Sequence, residues 1–571
     1  MGRLNTQKNI LYNIGNKIKY LYPKKDNERI FLELKYIMEH YRGNKVIITK
    51  RKKYNNEISM TNKDAILITY GDSIKRKGEK PLKTLHKFLK KHVKKSISCV
   101  HILPFFPFSS DDGYSVIDYK EVDKKLGDWG NIMKISDDYR LMVDLVINHV
   151  SKKSKWFKGF LAGDKKYKNY FIHFNKKVDT SSVFRPRTNP LLTKFKMNGR
   201  KKYVWTTFSN DQIDLDYKNP DVLMDMVDIL LFYVSKGVEI IRLDAIAYLW
   251  KELGTACIHL KKTHEIVKLM RAILNYVAPY AIIITETNVP PKENISYFGN
   301  GFDESQLVYK FLLPPLVLDA FIRKDTSYLQ KTYRMFRPLE KNLLFLNFLA
   351  SHDGIGILGA RKILSPKDFK NLLKTTRNHN GLLSYKLAKE GKLVPYELNI
   401  NYFDAINNPN KKLVIEKEVK KFMASQTIML MSKGIPGIYI HSLLGSRNYS
   451  QGIKKTNVKR EINRERLQYN KLEREIRNKD SIRHKVLTNY LYFLNARKRI
   501  SALNPYCKEK PIKSDKRLLI TERKFKGKKM IVIVNVSGDG IMLQKYTKRF
   551  DLLSKRPFNG EVEPYGAYCL R

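Results

Sequence analysis

Four apolar, strand-like segments of the sequence end in side chains that can do acid–base or nucleophilic chemistry. Residues 237–245 read GVEIIRLDA, an apolar run that closes on Arg242 and Asp244. Because side chains at i and i+2 of a strand lie on one face, the guanidinium and the carboxylate should emerge together. A neighbouring arginine lowers the pKa of a carboxyl group, so the pattern predicts an ionised Asp244 able to act as a nucleophile. For an isolated Arg-x-Asp pattern, a purely structural ion pair is the commoner outcome.

The other three segments make a shared site the better interpretation. One ends with Asp144, Asn148 and His149, the next with Glu286, and the last with His352 and Asp353. In barrels of parallel strands the catalytic groups lie at the carboxyl ends of the strands. The four clusters are therefore expected to meet at one end of one barrel.

Apolar runs alternate with helical patterns along most of the chain. Buried-looking strands joined by helices are typical of a parallel sheet, and this many units favour a closed (β/α)8 barrel. The predicted fold class is α/β, a TIM barrel with inserted lobes. The predicted strands cover residues 65–70, 99–106, 141–148, 238–243, 281–285, 343–349 and 438–440.

The barrel is expected to be interrupted and extended. The predicted domains are a helical amino-terminal extension (1–60), the first barrel part (61–150), an inserted lobe (151–212), the middle barrel part (213–353), a second inserted lobe (354–414), the last barrel part (415–500) and a carboxyl-terminal antiparallel β domain (501–571). Insertions as long as these in a compact protein are usually functional or form small lobes.

The composition describes a globular protein, with 43% hydrophobic and 11% aromatic residues. A net charge of +54 would favour nucleic acid as a partner, but the basic residues are spread over the whole length, which disfavours that interpretation. The four cysteines show no CxxC spacing, which argues against zinc and disulfides and suits a reducing cytoplasm. No apolar run is long enough to cross a membrane. We therefore expect a soluble, cytoplasmic protein without a membrane partner.

The four clusters resemble the conserved segments of the α-amylase family, glycoside hydrolase family 13. The segments are 144–149 (DLVINH), 238–245 (VEIIRLDA), 283–286 (IITE) and 351–353 (SHD). The resemblance implies that Asp244 is the nucleophile, Glu286 the general acid/base and Asp353 the carboxylate that stabilises the distorted sugar. It also implies that His149, His352 and Arg242 hold the same sugar. One ionised and one protonated carboxyl group at the anomeric carbon allow double displacement with retention.

Further segments resemble the sucrose phosphorylase branch of that family. They are 111–118 (DDGYSVID), 184–187 (FRPR), 204–208 (VWTTF), 312–316 (LLPPL), 352–356 (HDGIG) and 460–464 (REINR). The match implies that Tyr114 stacks on the glucose, that Asp111 binds a hydroxyl group, and that Arg460 pairs with Asp111 and closes the pocket. Phe208 and Gln212 fall in the insertion where this branch lines its acceptor site.

The chain departs from sucrose phosphorylase itself in the acceptor loop, which the second inserted lobe would carry. Glu397 follows Tyr396 where that enzyme has a glutamine. Segments 286–290, 293–298 and 441–448 are similar to those of glucosylglycerate phosphorylases and sucrose 6-phosphate phosphorylases. Their substrates are anionic, and guanidinium groups match carboxylate and phosphate. The expected acceptor and phosphate residues are Arg185, Arg187, Tyr396, Glu397 and Arg447, with Glu397 either paired to Arg187 or directed to solvent.

The predicted function is a retaining α-glucoside phosphorylase whose partners are a small α-glucoside and inorganic phosphate. The favoured donor is 2-O-α-glucosylglycerate, with sucrose 6-phosphate or sucrose as alternatives. A hydrolase or transglucosidase with the same carboxylates, and a nucleic-acid-binding protein on an inactive barrel, are the rival classes. No cofactor is expected, and no metal, because calcium binds near Asn148 in much of the family but generally not in this branch. A homodimer is left open.

Overall fold

In the computed structural model, residues 2–57, 60–335, 343–387 and 392–571 are described. Eight parallel strands close a barrel in which each strand is hydrogen-bonded to the next and the eighth returns to the first. The strands are β1 (Ile66–Thr69), β2 (Cys99–Ile102), β3 (Arg140–Val146), β4 (Val238–Asp244), β5 (Ile282–Thr285), β6 (Leu307–Tyr309), β7 (Leu344–Phe348) and β8 (Ile435–Tyr439). The predicted barrel is confirmed.

The barrel strands are apolar runs because both of their faces are covered. Every residue of β4 and β5 is buried, since side chains point either into the barrel or towards the surrounding helices. Arg242 pairs in register with Asp144 of β3 and with Ile284 of β5, which brings the charged ends of three strands together. The strand β6 is not among the predicted strands, because only three of its residues are hydrogen-bonded into the sheet.

Helices surround the barrel. The helix before β4 illustrates their sequence logic: Asn219 caps it through a bond from the Asp221 amide, Pro220 occupies its first turn, and Gly237 follows its end. The helices of the barrel layer are Pro81–Phe88 with a π-helical continuation Leu89–Val93, Trp129–Asp138, Pro220–Ser235, Lys261–Val277, Pro291–Ile295, Leu313–Arg323, Ser327–Met335, Ile415–Met431, Ile440–Leu443, Ser450–Thr456, Tyr469–Arg477 and Ile482–Arg499.

The amino-terminal extension forms three helices, Gly2–Leu21, Asn27–Arg42 and Lys45–Lys53, as predicted. The first two pack on the barrel helices Lys261–Val277 and Pro220–Ser235. Polar contacts join the two layers, including an ion pair of 3.1 Å from Lys17 to Glu265 and a hydrogen bond of 2.9 Å from Tyr41 to Asp228. The extension therefore packs against the two helices that precede and follow β4.

Two long segments interrupt the barrel on the carboxyl side of its strands. The first holds a helix (Lys155–Ala162), a three-stranded sheet (His173–Phe174, Leu192–Met197 and Arg200–Trp205) and a strand pair (His149–Ser151 with Gln212–Asp214). The second holds a three-stranded sheet (Ile355–Gly356, Leu382–Leu387 and Leu393–Asn399) and the helices Pro366–Asn378 and Tyr402–Ile406. Both segments lie at the end of the barrel that carries the predicted site residues.

The carboxyl-terminal residues form a six-stranded sheet, which confirms the predicted β domain. Its strands are Lys508–Ile512, Leu518–Phe525, Lys528–Asn535, Phe550–Asp551, Arg556–Pro557 and Ala567–Leu570, with a separate pair Ile541–Met542 and Glu561–Val562. Another short pair, Ile74–Lys75 with Leu467–Gln468, lies beside the barrel. Arg523, fully buried, donates to the carbonyl of Met431 and pairs with Glu509 at 2.8 Å, which fixes the β domain to the barrel. Among the described residues, no helix combines the length and the apolar character that a membrane crossing needs.

Candidate active site

One cavity at the carboxyl ends of the strands collects most of the predicted site residues. Its lining includes the three predicted catalytic carboxyls and the side chains expected to bind substrate: Asp111, Tyr114, His149, Phe208, Gln212, Asp244, Glu286, His352, Asp353 and Arg460. Arg242 lies beneath the floor, with its Nη1 2.7 Å from Asp244 Oδ1. Residues spread over 350 positions of the chain thus meet in one place.

The floor of the cavity is a buried ion cluster centred on Arg242. Its Nη1 donates to Asp144 Oδ1 as well as to Asp244, and Asp144 Oδ2 lies 2.6 Å from His101 Nε2. Although burial opposes ionisation, Arg242 and His101 hold the pKa of Asp144 at about 2. Asp144 is therefore ionised and forms an ion pair with Arg242.

Burial overturns the predicted electrostatics of Asp244. The expectation was a lowered pKa, but burial raises the pKa of the Asp244 carboxyl, and the negative neighbours Glu286 and Asp144 add to the rise. Burial likewise raises the pKa of Glu286, with Asp353 contributing. The two carboxyls therefore titrate as a coupled pair that keeps one proton near neutral pH.

Hydrogen bonding decides which carboxyl of the pair is ionised. Asp244 accepts the 2.7 Å bond from Arg242, whereas Glu286 Oε2 lies 4.0 Å from the same guanidinium and accepts only a 3.4 Å bond from the amide of Ala245. A charge-assisted hydrogen bond stabilises the carboxylate that accepts it. We therefore place the proton on Glu286 and the negative charge on Asp244, the arrangement that a nucleophile and a general acid need.

Aromatic and imidazole rings form the wall against which a sugar would lie. The rings of Tyr114 and His352 stack with centroids 5.0 Å apart and planes at 9°. His149 Nε2 lies 2.9 Å from the carbonyl oxygen of Tyr114, and Gln212 Nε2 lies 3.4 Å from Asp111 Oδ2. Burial lowers the pKa of both histidines, that of His352 to about 3, so both rings are neutral at neutral pH.

Arg460 closes the cavity with partners other than the expected one. Its Nη1 pairs with Asp353 Oδ1, and its Nη2 and Nε reach the two oxygens of Glu397 at 2.7 and 3.1 Å. The predicted pairing of Arg460 with Asp111 is wrong, because Glu397 offers two parallel acceptors to the guanidinium fork. Despite burial, the Arg460 guanidinium, with Arg464 contributing, lowers the pKa of Asp353, which is ionised.

The expected acceptor residues divide into two groups. Arg187, Tyr396 and Glu397 line the cavity, and Arg187 Nη1 donates to the hydroxyl of Tyr396. Arg185 instead bonds to the carbonyl of Asn189, and Arg447 pairs with Asp404, both outside the cavity lining. Glu397, 2% exposed, neither points to solvent nor pairs with Arg187, so both sequence-based expectations for its surroundings are wrong.

Two lysines near the site were not singled out from the sequence. Lys251 is buried, with its Nζ 2.8 Å from both Asn148 Oδ1 and Asp214 Oδ2, and it supports the segment that carries His149. A lysine directly after the apolar residues 246–250 is the signal that would have found it. Lys386 lines the cavity itself, and in a chain with so many lysines its position in the sequence carried no signal.

Comparison with known proteins places these residues in a family. A model of the α-amylase catalytic domain matches residues 87–358. A glucosylglycerate phosphorylase of Spirochaeta thermophila is 52% identical over 79% of this chain and 76% of its own length. The chain belongs to the α-amylase family, in the branch of the glucosylglycerate phosphorylases.

Other members support the same placement. A glucosylglycerate phosphorylase of Allomeiothermus silvanus is 43% identical over 88% of this chain and 90% of its own. The crystal structure of a sucrose 6F-phosphate phosphorylase from Thermoanaerobacter thermosaccharolyticum superposes with a TM-score of 0.73 at 27% identity, over 84% of this chain and 95% of that one. The predicted family and branch are confirmed.

The Glu397–Arg460 fork predicts that Glu397 acts through Arg460, whereas the sequence placed Glu397 among the acceptor and phosphate residues. In Glu397→Gln the carboxylate is lost, so Arg460 is held less firmly beside Asp353 at the sugar end of the cavity. We expect the KM of neutral and anionic glucosides to rise together, by about tenfold, because a buried hydrogen bond to a charged group is lost. Steady-state kinetics with both donor types measures this. The exposed carboxylate in Glu416→Gln provides the control, and a rise confined to anionic donors would restore the role first expected for Glu397.

Proposed function

We propose that this protein is a retaining phosphorylase that transfers glucose from 2-O-α-glucosylglycerate to phosphate and releases α-glucose 1-phosphate and glycerate. The observation that carries the proposal is the pair of carboxyls in one cavity, of which Asp244 accepts a 2.7 Å bond from Arg242 while Glu286 lies 4.0 Å from the same guanidinium. An ionised and a protonated carboxyl in one cavity are the two groups that glycosyl transfer with retention requires.

In the first step Asp244 Oδ attacks the anomeric carbon while Glu286 gives its proton to the glycosidic oxygen. The bond from carbon to that oxygen breaks, the aglycone leaves as an alcohol, and glucose is held as an ester of Asp244. Asp353, kept ionised by Arg460 and Arg464, stabilises the positive charge that develops on the sugar ring.

In the second step a phosphate oxygen attacks the same carbon and displaces Asp244. Glu286, now ionised, accepts a proton from dihydrogen phosphate or stays idle when the hydrogen phosphate dianion attacks. Two inversions at one carbon restore the α configuration in glucose 1-phosphate. Phosphate must therefore enter from the side that the aglycone has just left.

The choice of donor rests on the relatives. The two glucosylglycerate phosphorylases are 52% and 43% identical to this chain, against 27% for the sucrose 6F-phosphate phosphorylase of known structure. A cavity with Arg187 and Lys386 in its lining suits an anionic aglycone. Sucrose 6-phosphate is the alternative donor that the same cations would accept.

A donor screen in phosphate buffer tests the proposal. The protein is incubated with 2-O-α-glucosylglycerate, sucrose 6-phosphate, sucrose and 2-O-α-glucosylglycerol, and glucose 1-phosphate and free glucose are quantified. We expect glucose 1-phosphate in the α form, at the highest kcat/KM from glucosylglycerate. Release of glucose at a rate independent of phosphate would make the protein a hydrolase and would contradict the proposal.

The setting of the enzyme is a further part of the proposal. All four cysteines are buried and free, which fits a reducing compartment such as the cytoplasm. The predicted domain boundaries and the homodimer stay predictions. Light scattering of the purified protein measures the second directly.

A further inference from the structure

Two cations of the cavity have no carboxylate partner among the residues that the structure describes. Three basic side chains line it, Arg187, Lys386 and Arg460. Arg460 is neutralised by Glu397 and Asp353. Within the described parts of the chain, neither Arg187 nor Lys386 forms an ion pair with an Asp or Glu, and Arg187 contacts the Tyr396 hydroxyl and two aromatic rings instead.

Lys386 is a partly buried cation that contacts an aromatic ring and has other cations near it. It belongs to the strand Leu382–Leu387 of the second inserted segment, and its Nζ lies 4.6 Å from the ring centroid of Phe184. Burial lowers its pKa, and the positive charges of Arg361 and Lys362 lower it further. A partly buried ammonium beside other cations is stabilised by an anion that binds to it.

An aromatic wall connects Lys386 with the general acid. The ring centroids of Phe184 and Tyr248 are 6.4 Å apart, and those of Tyr248 and Phe208 are 5.4 Å apart. The Arg187 guanidinium carbon lies 5.9 Å from the ring centroid of Phe208. Tyr248 and Glu286 both line the cavity, so the wall begins at the cavity that holds the carboxyl that protonates the leaving group. The two unpaired cations therefore belong to the aglycone side of the cavity.

The reaction brings two anions to that side in turn. Because configuration is retained, phosphate attacks from the face that the aglycone has left, so both ligands use the same space. Glycerate carries a carboxylate and phosphate carries up to two charges. A single cationic subsite can hold both, one after the other.

We propose that Lys386 is a specificity-determining residue that, together with Arg187, binds the anionic group of both ligands, the carboxylate of the aglycone and inorganic phosphate. This assignment rests on the phosphorylase function proposed above. Nothing in the catalytic carboxyl pair requires Lys386, so its loss should change the recognition of anions and leave the chemistry at the anomeric carbon intact.

Lys386→Met tests the assignment, with Lys386→Arg as the charge-preserving variant. Lys362→Met is the matched control, because it removes a nearby but exposed positive charge. Four ligands are compared: phosphate with α-glucosyl fluoride as donor, glycerate with glucose 1-phosphate as donor, neutral glycerol as acceptor, and the fluoride donor itself. In Lys386→Met, we expect the KM of phosphate and of glycerate each to rise about tenfold or more, with kcat, glycerol and the fluoride donor nearly unchanged.

The four assays distinguish an effect on phosphate from an effect on glycerate. They also distinguish failure of the Lys386 assignment from failure of the proposed function. A rise for only one anion, an equal loss with all four ligands, or no change would each overturn the shared subsite. Lys386→Arg should recover most of the affinity, and equal melting temperatures show that the variants fold. If the wild type only hydrolyses the fluoride donor, the phosphorylase proposal fails. The subsite can then still be tested by measuring how strongly phosphate and glycerate inhibit that hydrolysis in the wild type and in Lys386→Met.

Discussion

The Asp244→Asn variant is expected to fold normally and to lose about four orders of magnitude or more in kcat, as removal of a nucleophile does in other enzymes. The amide is nearly the same size as the carboxylate and can still accept the hydrogen bond from Arg242. An amide oxygen is a poor nucleophile at an anomeric carbon, so no glucosyl ester forms. Phosphorolysis assays with natural and activated donors measure the loss. Turnover within tenfold of wild type, in protein shown by mass spectrometry to be free of deamidated Asp244, would contradict the role of this residue.

The same variant should change how stability depends on pH. Because the pKa values of Asp244 and Glu286 are raised in the folded protein, the folded state binds a proton that the unfolded chain releases above about pH 4. Wild-type stability should therefore fall as pH rises from about 4 through the raised pKa of the pair. In Asp244→Asn one of the two repelling charges is gone, so the melting temperature should fall less over the same interval. Parallel curves for the two proteins would show that the pair is not coupled.

The Glu286→Gln variant is expected to lose activity in proportion to how much the leaving group needs a proton. With 2-O-α-glucosylglycerate, kcat/KM should fall by about 10²- to 10⁴-fold, the usual contribution of a general acid. With α-glucosyl fluoride the loss should be small, because fluoride leaves without a proton and ionised phosphate attacks without a base. Comparison of the two donors in phosphate measures the difference.

The pH profile provides the control for this variant. A protonated Glu286 is required for the natural donor, so wild-type kcat/KM should decline as pH rises through the raised pKa of the pair. Glu286→Gln should lack this alkaline decline, since an amide does not ionise. Equal losses with both donors, or an unchanged pH profile, would remove Glu286 from the role of general acid.

The barrel and its carboxyl pair could be predicted from the sequence because both depend on local patterns. The apolar residues of runs such as 238–243 indicate a buried strand, and the polar residue that follows each run marks the carboxyl end of the strand. The strand β6 escaped because three residues are too few to show a pattern. Its place was implied only by the closure of the barrel.

The partners of charged residues could not be predicted, because they are set by contacts between distant segments. Arg460 and Glu397 are 63 positions apart and meet through the second inserted segment, which no local pattern describes. The raised pKa of Asp244 has the same origin. The sequence correctly placed Arg242 beside Asp244. It did not show that Asp144, 98 positions away from Arg242, accepts a hydrogen bond from the same guanidinium, because that contact depends on the pairing of β3 with β4.

Trapping the glucosyl-enzyme tests the central claim most directly. The protein is treated with 5-fluoro-α-glucosyl fluoride, whose ring fluorine slows the second step more than the first, then digested, and the labelled peptide is sequenced by mass spectrometry. We predict one fluoroglucosyl group per chain, attached to Asp244 and released as the corresponding α-phosphate when phosphate is added. A label on another residue, or an enzyme that turns over its substrates without any covalent intermediate, would contradict the account.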